Sequence, residues 1–220
     1  MKQLLIVGNW KSNKTEDELF EWINSFSQND SSQFLDKKVV ICPPFTLLSK
    51  LKTLITENKL SLEIAGQDIS EFEGGPFTGE ISAKQVKEFG NYTIVGHSER
   101  RKNFNETEEI LKKKTEIAIK YALTPIFCVE SENNQIPQGV EIVAYEPVLA
   151  IGTGKPDTPE NANEVARLIK GKSQVKVVLY GGSVTSKNIK SFTEMQYLDG
   201  VLVGGNSLDP TEFSTIVKLA

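Results

Sequence analysis

Eight short apolar segments rich in β-branched residues recur along this chain, with amphipathic segments between most of them. The predicted strands are residues 4–8, 38–42, 62–66, 92–96, 125–129, 141–145, 175–180 and 200–203. The predicted helices are 15–26, 47–58, 82–89, 106–121, 159–170 and 186–195. Strands that alternate with helices predict an α/β fold with a parallel sheet and right-handed crossovers. Eight such repeats in 220 residues favour a (β/α)8 barrel, and we expect one barrel domain over residues 1–220.

An open, doubly wound sheet is the alternative architecture. Its usual signature is a Gly-x-Gly-x-x-Gly turn after the first strand. The first predicted strand is instead followed by Asn-Trp-Lys at 9–11, which disfavours this alternative.

Three helix starts are explicit in the sequence. Thr15 precedes Glu18 by three residues, and Asn105 precedes Glu108 by three, so both pairs predict capping boxes. The dipeptide at 158–159 is Thr-Pro, which predicts a helix with proline in its first turn.

The interval between the fifth and sixth strands is unusually short. Residues 130–140 read ESENNQIPQGV, with turn-forming Asn, Pro and Gly and no helical apolar period. We therefore predict that the helix between strands 5 and 6 is reduced to a loop or a single turn. Parallel strands need apolar cover on both faces, so we expect shifted neighbouring helices or a second chain to cover these two strands.

Charge and composition exclude several kinds of partner. The net charge is −4, so no basic surplus exists to neutralise nucleic acid phosphates. The apolar run near the N-terminus is too short for a signal peptide or a membrane span. Cys42 and Cys128 both lie in apolar runs, which is typical of buried free thiols in a reducing compartment, so we expect a cytoplasmic protein.

Polar residues at the ends of predicted strands are the candidates for chemistry, since the active site of a barrel forms there. Asn9 and Lys11 follow strand 1, and the Lys11 ammonium could bind an anionic substrate. His97, which is the single histidine of the chain, follows strand 4. One histidine cannot make a histidine-rich metal site, so we expect no metal and no cofactor. A solvated lysine and a structural histidine are the alternative readings.

Glu146 follows strand 6 and leads through Pro147 into a glycine-bearing segment. This order predicts a catalytic base beneath a lid that closes and excludes water. An ordinary ion pair at a strand end is the alternative reading.

Gly-Gly pairs follow strands 7 and 8, at 181–182 and 204–205. Glycine lets backbone N–H groups approach an oxyanion closely, and the loops after these strands often bind phosphate in barrels. Combined with a carboxylate base, a neutral imidazole and a lysine, they predict an aldose–ketose isomerisation of a small phosphorylated substrate through an enediol.

The chain resembles the triosephosphate isomerase family over essentially its whole length. The matching segments are GNWK at 8–11, CPPF at 42–45, AGQD at 65–68, GPFTGEIS at 75–82, VGHSERR at 95–101, AYEPVLAIGTG at 144–154, YGGSV at 180–184 and VGGNSL at 203–208. Their shared order along the chain makes a chance match very improbable.

The resemblance implies roles for particular residues. Glu146 would be the base and His97 the electrophile, while Lys11 and Asn9 would stabilise the anionic substrate. Glu99 would support the region of Lys11 and His97. Backbone N–H groups of four further residues would bind the phosphate, namely Gly152, Ser183, Gly204 and Gly205. The family also implies a homo-oligomer, most simply a dimer, in which the loop 71–79 reaches the neighbouring subunit and places Thr78 near its site.

Four departures from the family pattern stand out. Leu149 replaces a tryptophan of the lid, and Glu130-Ser131 replaces a Gly-Glu pair after strand 5. Asp68 replaces an asparagine, and the fifth helix is missing. We expect them to affect the lid and subunit packing while leaving the chemical residues in place.

Two other functions remain open from the sequence. One is a different sugar-phosphate isomerase or epimerase on the same barrel, although metal-dependent epimerases would need several histidines. The other is a trimmed, non-catalytic barrel that serves as a binding or assembly module, which the missing helix suggests and the intact Lys11, His97 and Glu146 disfavour.

Overall fold

The computed structural model describes residues 3–28, 36–147 and 157–220, and its sheet is a closed barrel of eight parallel strands. Each strand pairs with the next in chain order, and β8 pairs with β1. The strands are β1 Leu4–Asn9, β2 Lys37–Cys42, β3 Leu62–Gly66, β4 Tyr92–Val95, β5 Thr124–Val129, β6 Ile142–Tyr145, β7 Val177–Tyr180 and β8 Gly200–Val203. The predicted (β/α)8 barrel is confirmed.

Helices surround the barrel. They are α1 Glu16–Ser27, α2 Leu48–Glu57, α3 Ala83–Lys87, α4 Ser98–Phe104, α5 Glu108–Lys120, α6 Pro159–Lys172, α7 Ile189–Thr193 and α8 Pro210–Leu219. The sequence prediction did not assign α4 and α8 as helices. In the described ranges, none of these helices combines the length and the apolar character that crossing a membrane would take.

Side chains alternate between two buried layers along each strand. In β1, Leu5 and Val7 join the cluster inside the barrel, whereas Ile6 joins the cluster between barrel and helices. All three are at most 6% exposed. Burial on both faces explains why the strands read as continuous apolar runs rather than as alternating ones.

The predicted helix starts are partly confirmed. Thr15 and Glu18 form the expected capping box at α1, and Thr158 caps α6 with proline in the first turn. The prediction at Asn105 was wrong. Asn105 adopts a left-handed conformation (φ 55°) that ends α4, and Thr107 caps α5 instead. The reason is that two helices follow one another here, so an asparagine suited to a left-handed turn ends the first.

The connection between β5 and β6 contains no helix, as predicted, and the structure describes all of residues 130–141. The Asn134 side chain organises its first turn, because its Oδ1 accepts hydrogen bonds from the backbone N–H of Glu130 (3.0 Å) and Ser131 (2.9 Å). This side chain thereby satisfies two backbone donors of the turn.

The outer faces of β5 and β6 are nevertheless covered within one chain. Phe127 and Val143 are fully buried there, and the connection contributes buried Val140 and partly buried Ile136 to the same apolar cluster. A second chain is therefore not needed to bury these strands, because the loop adds apolar cover and the neighbouring helices α5 and α6 contact β5 and β6. Whether these helices are shifted stays a prediction.

A network of four charged groups joins the β4–β5 connection to the residues after β3, and three of its members are buried while Arg100 is partly exposed. The Lys114 ammonium donates to Asp68 Oδ1 (2.8 Å) and Glu106 Oε1 (2.5 Å). Arg100 bridges the same two carboxylates, at 2.9 Å from Asp68 Oδ2 and 2.7 Å from Glu106 Oε1. Burial raises the pKa of Asp68 to about 6, although Lys114 opposes this shift.

An aromatic cluster holds the turn that follows β8. The Trp22 indole N–H donates to the carbonyl of Ser207 at 3.1 Å, and its ring stacks on Phe26 with centroids 4.7 Å apart. The Trp10 ring packs edge-on against the Trp22 ring, with centroids 5.1 Å apart. The short 3-10 turn Gly205–Ser207 is thereby tied to α1.

Candidate active site

A cavity of about 400 Å³ opens at the carboxyl ends of the strands. Most of the residues predicted for the site line it, namely Asn9, Lys11, His97, Glu146, Ser183, Gly204 and Gly205. Glu99 is not among the lining residues but pairs with Lys11. Gly152, Leu149 and the predicted lid lie outside the described residues.

The carboxylate of Glu146 is held at the end of β6 by the residues that follow β4. It is 1% exposed, and its Oε2 accepts a hydrogen bond from the backbone N–H of Ser98 at 2.9 Å. Its Oε1 lies 3.2 Å from Nε2 of His97. Two strands that are distant in sequence thus bring a carboxylate and an imidazole into direct contact.

The hydrogen bonds of His97 indicate its tautomer. His97 is the N-cap residue of α4, and its Nδ1 accepts from the backbone N–H of Glu99 at 3.2 Å. A ring nitrogen that accepts a hydrogen bond carries no proton, so in the neutral ring the hydrogen is on Nε2. That hydrogen points toward Glu146, on the side of the cavity.

Lys11 is held in an uncommon backbone conformation, with φ at 52°. Its N–H donates to Asn9 Oδ1 at 3.0 Å, and its carbonyl accepts from Gln67 Nε2 at 2.8 Å. Its ammonium forms an ion pair with Glu99. No role was predicted for Gln67 from the sequence, although it lies in the AGQD match and directly follows β3.

The glycines after β7 allow close approach of backbone to the reacting groups. A Cβ on Gly181 would lie 2.9 Å from Cγ of Glu146, and one on Gly182 would lie 2.1 Å from the hydroxyl of Tyr180. In the loop after β8, a Cβ on Gly204 would lie 3.6 Å from Cε of Lys11. A larger residue at 181 or 182 would displace these groups.

Two asparagines that sequence reasoning missed shape the loops around the cavity. Asn188 donates to the carbonyl of Ser183 at 3.0 Å and accepts from the N–H of Thr185 at 2.8 Å. Asn206 donates to the carbonyl of Val184 at 2.5 Å. Single asparagines in polar loops carry no periodic signal, so only the tertiary contacts identify them.

Arg101 joins the ends of β4 and β5, the two strands whose ends lie near Glu146. Its side chain donates to the carbonyls of Gly96 (2.9 Å) and Cys128 (3.1 Å).

Burial raises the pKa of the Cys128 thiol, and the nearby Glu146 carboxylate raises it further. Cys42 and Cys128 are both buried free thiols, as predicted. In the described ranges, no three His, Cys, Asp or Glu side chains are grouped so as to hold a metal ion.

A closed barrel of parallel strands with a polar cavity at their carboxyl ends defines a (β/α)8-barrel enzyme. The family model for triosephosphate isomerase matches residues 4–220. The chain belongs to the triosephosphate isomerase family, as its motifs indicated.

Curated relatives and a solved structure agree with this assignment. The chain is 42% identical over 241 residues to the triosephosphate isomerase of Mesomycoplasma hyopneumoniae strain 232, with 97% of this chain and 98% of that protein covered. It is 39% identical to that of Mycoplasmopsis pulmonis, covering 99% and 98%. The crystal structure of triosephosphate isomerase from Bartonella henselae matches with a TM-score of 0.84 and 30% identity, covering 99% and 98%.

Proposed function

We propose that this protein interconverts dihydroxyacetone phosphate and D-glyceraldehyde 3-phosphate by proton transfer through an enediol, a step of glycolysis and gluconeogenesis. The observation that carries the proposal is the contact between Glu146 and His97 in a cavity that also holds Lys11 and both glycine loops. Membership of the triosephosphate isomerase family supports the substrate pair.

Glu146 acts as the base. Its carboxylate removes a proton from the carbon beside the substrate carbonyl and returns it to the neighbouring carbon. At 1% exposure, the carboxylate is shielded from water that would compete for the proton.

His97 acts as the electrophile. Its neutral ring donates the Nε2 hydrogen to the substrate oxygen as that oxygen gains negative charge. Donation from a neutral imidazole is the established scheme for this family. The bond from Glu99 N–H to Nδ1 supports this tautomer here.

The other predicted site residues bind the anionic substrate. The Lys11 ammonium and the Asn9 side chain stabilise its charge, and Glu99 positions Lys11 through their ion pair. Backbone N–H groups of Ser183, Gly204 and Gly205 bind the phosphate at the far end of the cavity. Gly152 completes this set in the proposal.

The proposal also includes a homodimer formed through the loop 71–79. Phe72 is 41% exposed and stacks face to face on Phe77, with centroids 3.9 Å apart. An exposed ring stacked on a partly buried one in this loop favours burial against another copy of the chain. We place the protein in the cytoplasm. A fully active monomer in light scattering at micromolar concentration would contradict the dimer.

The decisive test is a coupled assay of the full chain on glyceraldehyde 3-phosphate, combined with the variant Glu146→Asp. Moving the carboxylate back by one methylene should lower kcat by about 10²–10³-fold, because the base no longer reaches the substrate carbon. Inhibition by inorganic phosphate should change little, since the phosphate loops are untouched. The control is Glu132→Asp in the β5–β6 connection, which should keep full activity.

Three results would overturn parts of the proposal. Turnover of a pentose phosphate without turnover of glyceraldehyde 3-phosphate would indicate a different sugar-phosphate isomerase. A folded protein that turns over neither substrate would indicate a non-catalytic barrel. An equal loss of turnover and phosphate affinity in Glu146→Asp would indicate structural damage rather than loss of the base.

A further inference from the structure

Two tyrosines stand side by side just outside the active site. Tyr145 ends β6, Tyr180 ends β7, and the two residues are partners in the parallel register. Both side chains belong to the outer apolar layer of the barrel rather than to its interior. Their hydroxyl groups are therefore on the same face of neighbouring strands.

Asp157 binds both hydroxyl groups. The Tyr145 hydroxyl donates to Oδ2 of Asp157 at 3.1 Å, and the backbone N–H of Asp157 donates to the Tyr180 hydroxyl at 2.8 Å. Burial raises the pKa of both phenols, that of Tyr180 to about 12. Tyr145 therefore remains a protonated donor to the carboxylate at neutral pH.

The two tyrosines are each one peptide away from groups of the site. Glu146 follows Tyr145, and Gly181 follows Tyr180. Gly181 packs so closely on Glu146 that a Cβ there would lie 2.9 Å from its Cγ, and Gly181 N–H donates to the carbonyl of Tyr145 at 2.8 Å. A change in the backbone at Tyr145 would therefore shift Glu146 relative to Gly181.

The contact with Tyr145 is separable from helix capping. Asp157 precedes α6, and it accepts from the N–H of Thr158 at 2.8 Å and from Asn161 Nδ2 at 2.7 Å. The helix has its own N-cap, however, because the Thr158 hydroxyl accepts from the N–H of Asn161. The bond to Tyr145 adds nothing to that cap and reaches instead toward the strand that carries the base.

We propose that the Asp157 carboxylate is a positioning group for the isomerisation, because it holds the end of β6 through the Tyr145 hydroxyl. It does not line the cavity. It acts by fixing Glu146 relative to the glycine loop after β7, and the bond from the Tyr145 hydroxyl is the contact that a side-chain change removes. The bond from the Asp157 backbone N–H to Tyr180 does not depend on the side chain. This inference rests on the proposed function.

The test is a double-mutant cycle on kcat and KM with the full chain. Tyr145→Phe and Asp157→Ala should each lower kcat by about tenfold, and the double variant should lose no more than either one. KM should change by less than about twofold. Asp157→Asn should restore most of kcat, since its amide oxygen still accepts from Tyr145.

Asn161→Ala is the matched control, because it removes the other donor to the same carboxylate oxygen and leaves Tyr145 in place. It should keep the kcat of the unmodified chain. Tyr145→Phe leaves every contact of Asp157 with α6 intact, so its loss of kcat cannot come from a weakened helix.

Distinct results separate the failure of this inference from failure of the proposed function. An unmodified chain without triose phosphate turnover would refute the function itself. An active chain in which Tyr145→Phe keeps full kcat, or in which the two changes multiply, would overturn the role of Asp157. An Asp157→Asn variant as slow as Asp157→Ala would do the same.

Discussion

Strand β5 lies between two connections of very different construction. The β4–β5 connection spans residues 96–123 and carries two helices, α4 and α5. Ion pairs link four charged residues there, namely Lys114, Asp68, Glu106 and Arg100. The β5–β6 connection spans residues 130–141 and carries none, with Val140 and Ile136 in the apolar layer.

Residues next to both connections nonetheless reach the same cavity, and both are proposed catalytic groups. His97 stands at the start of the first, and Glu146 follows the strand after the second, with the two side chains 3.2 Å apart. The barrel strands and their tight turns therefore position the site. The outer layer only has to exclude water from the strands, and a short loop that contributes two apolar side chains, Ile136 and Val140, can help to do that in place of a helix.

The largest expected effect would come from breaking the charged network of the first connection. Lys114→Met leaves two buried carboxylates with Arg100 alone, and this should lower the free energy of unfolding by about 3–5 kcal/mol. Urea unfolding at fixed protein concentration measures the change. Lys113→Met on the same helix is the control, and the loss of its exposed ion pairs should change stability far less. Equal costs in the two variants would show that burial of the network is unimportant.

The buried apolar side chain of the second connection should contribute less to stability than this network, but by a measurable amount. Val140 is 2% exposed, so Val140→Ala should cost about 2 kcal/mol of stability while kcat stays unchanged. Thermal and urea unfolding, with the coupled assay, would test both parts. The matched control is Val217→Ala in α8, which is equally buried but gains from the better helix propensity of alanine. If Val140→Ala leaves the free energy of unfolding unchanged while Val217→Ala lowers it, the loop does not contribute to the apolar cover of β5 and β6.

The smallest expected effect is the change with pH in the contribution of Asp68 to stability. The pKa of Asp68 in the folded protein, about 6, lies above its ordinary value, so the folded state holds the proton more tightly than the unfolded state. This contribution to stability is present below pH 4 and is lost as the pH rises through 6. The stability of the unmodified chain relative to Asp68→Asn should thus fall by about 1 kcal/mol between pH 5 and pH 7.5.

Urea unfolding of both proteins at several pH values would measure this difference, with Glu116→Gln, an exposed carboxylate change on α5, as the reference. A difference that instead grows toward pH 7.5 would show that Lys114 and Arg100 outweigh the burial of Asp68. The ion pairs of Asp68 with Lys114 and Arg100 would then stabilise the β4–β5 connection by more than the burial of the Asp68 carboxylate destabilises it.

The sequence predicted the strands well because their residues are buried on both faces and read as apolar runs. It also predicted the missing helix, since Asn133, Asn134, Pro137 and Gly139 leave no helical period. It failed at Asn105, where an apparent capping box was the left-handed end of the preceding helix. Local patterns do not reveal that one helix has just ended.

Strand order and strand-end residues by themselves determined the barrel, the cavity end and the candidate chemical groups, because parallel strands must place their carboxyl ends together. Only the tertiary structure decided the contacts among residues far apart in sequence. It placed the N–H of Ser98 on Glu146, the Gln67 amide on Lys11 and the Asp157 carboxylate on Tyr145. Such contacts depend on angstrom-scale distances between strands, and no periodicity along a chain records those distances.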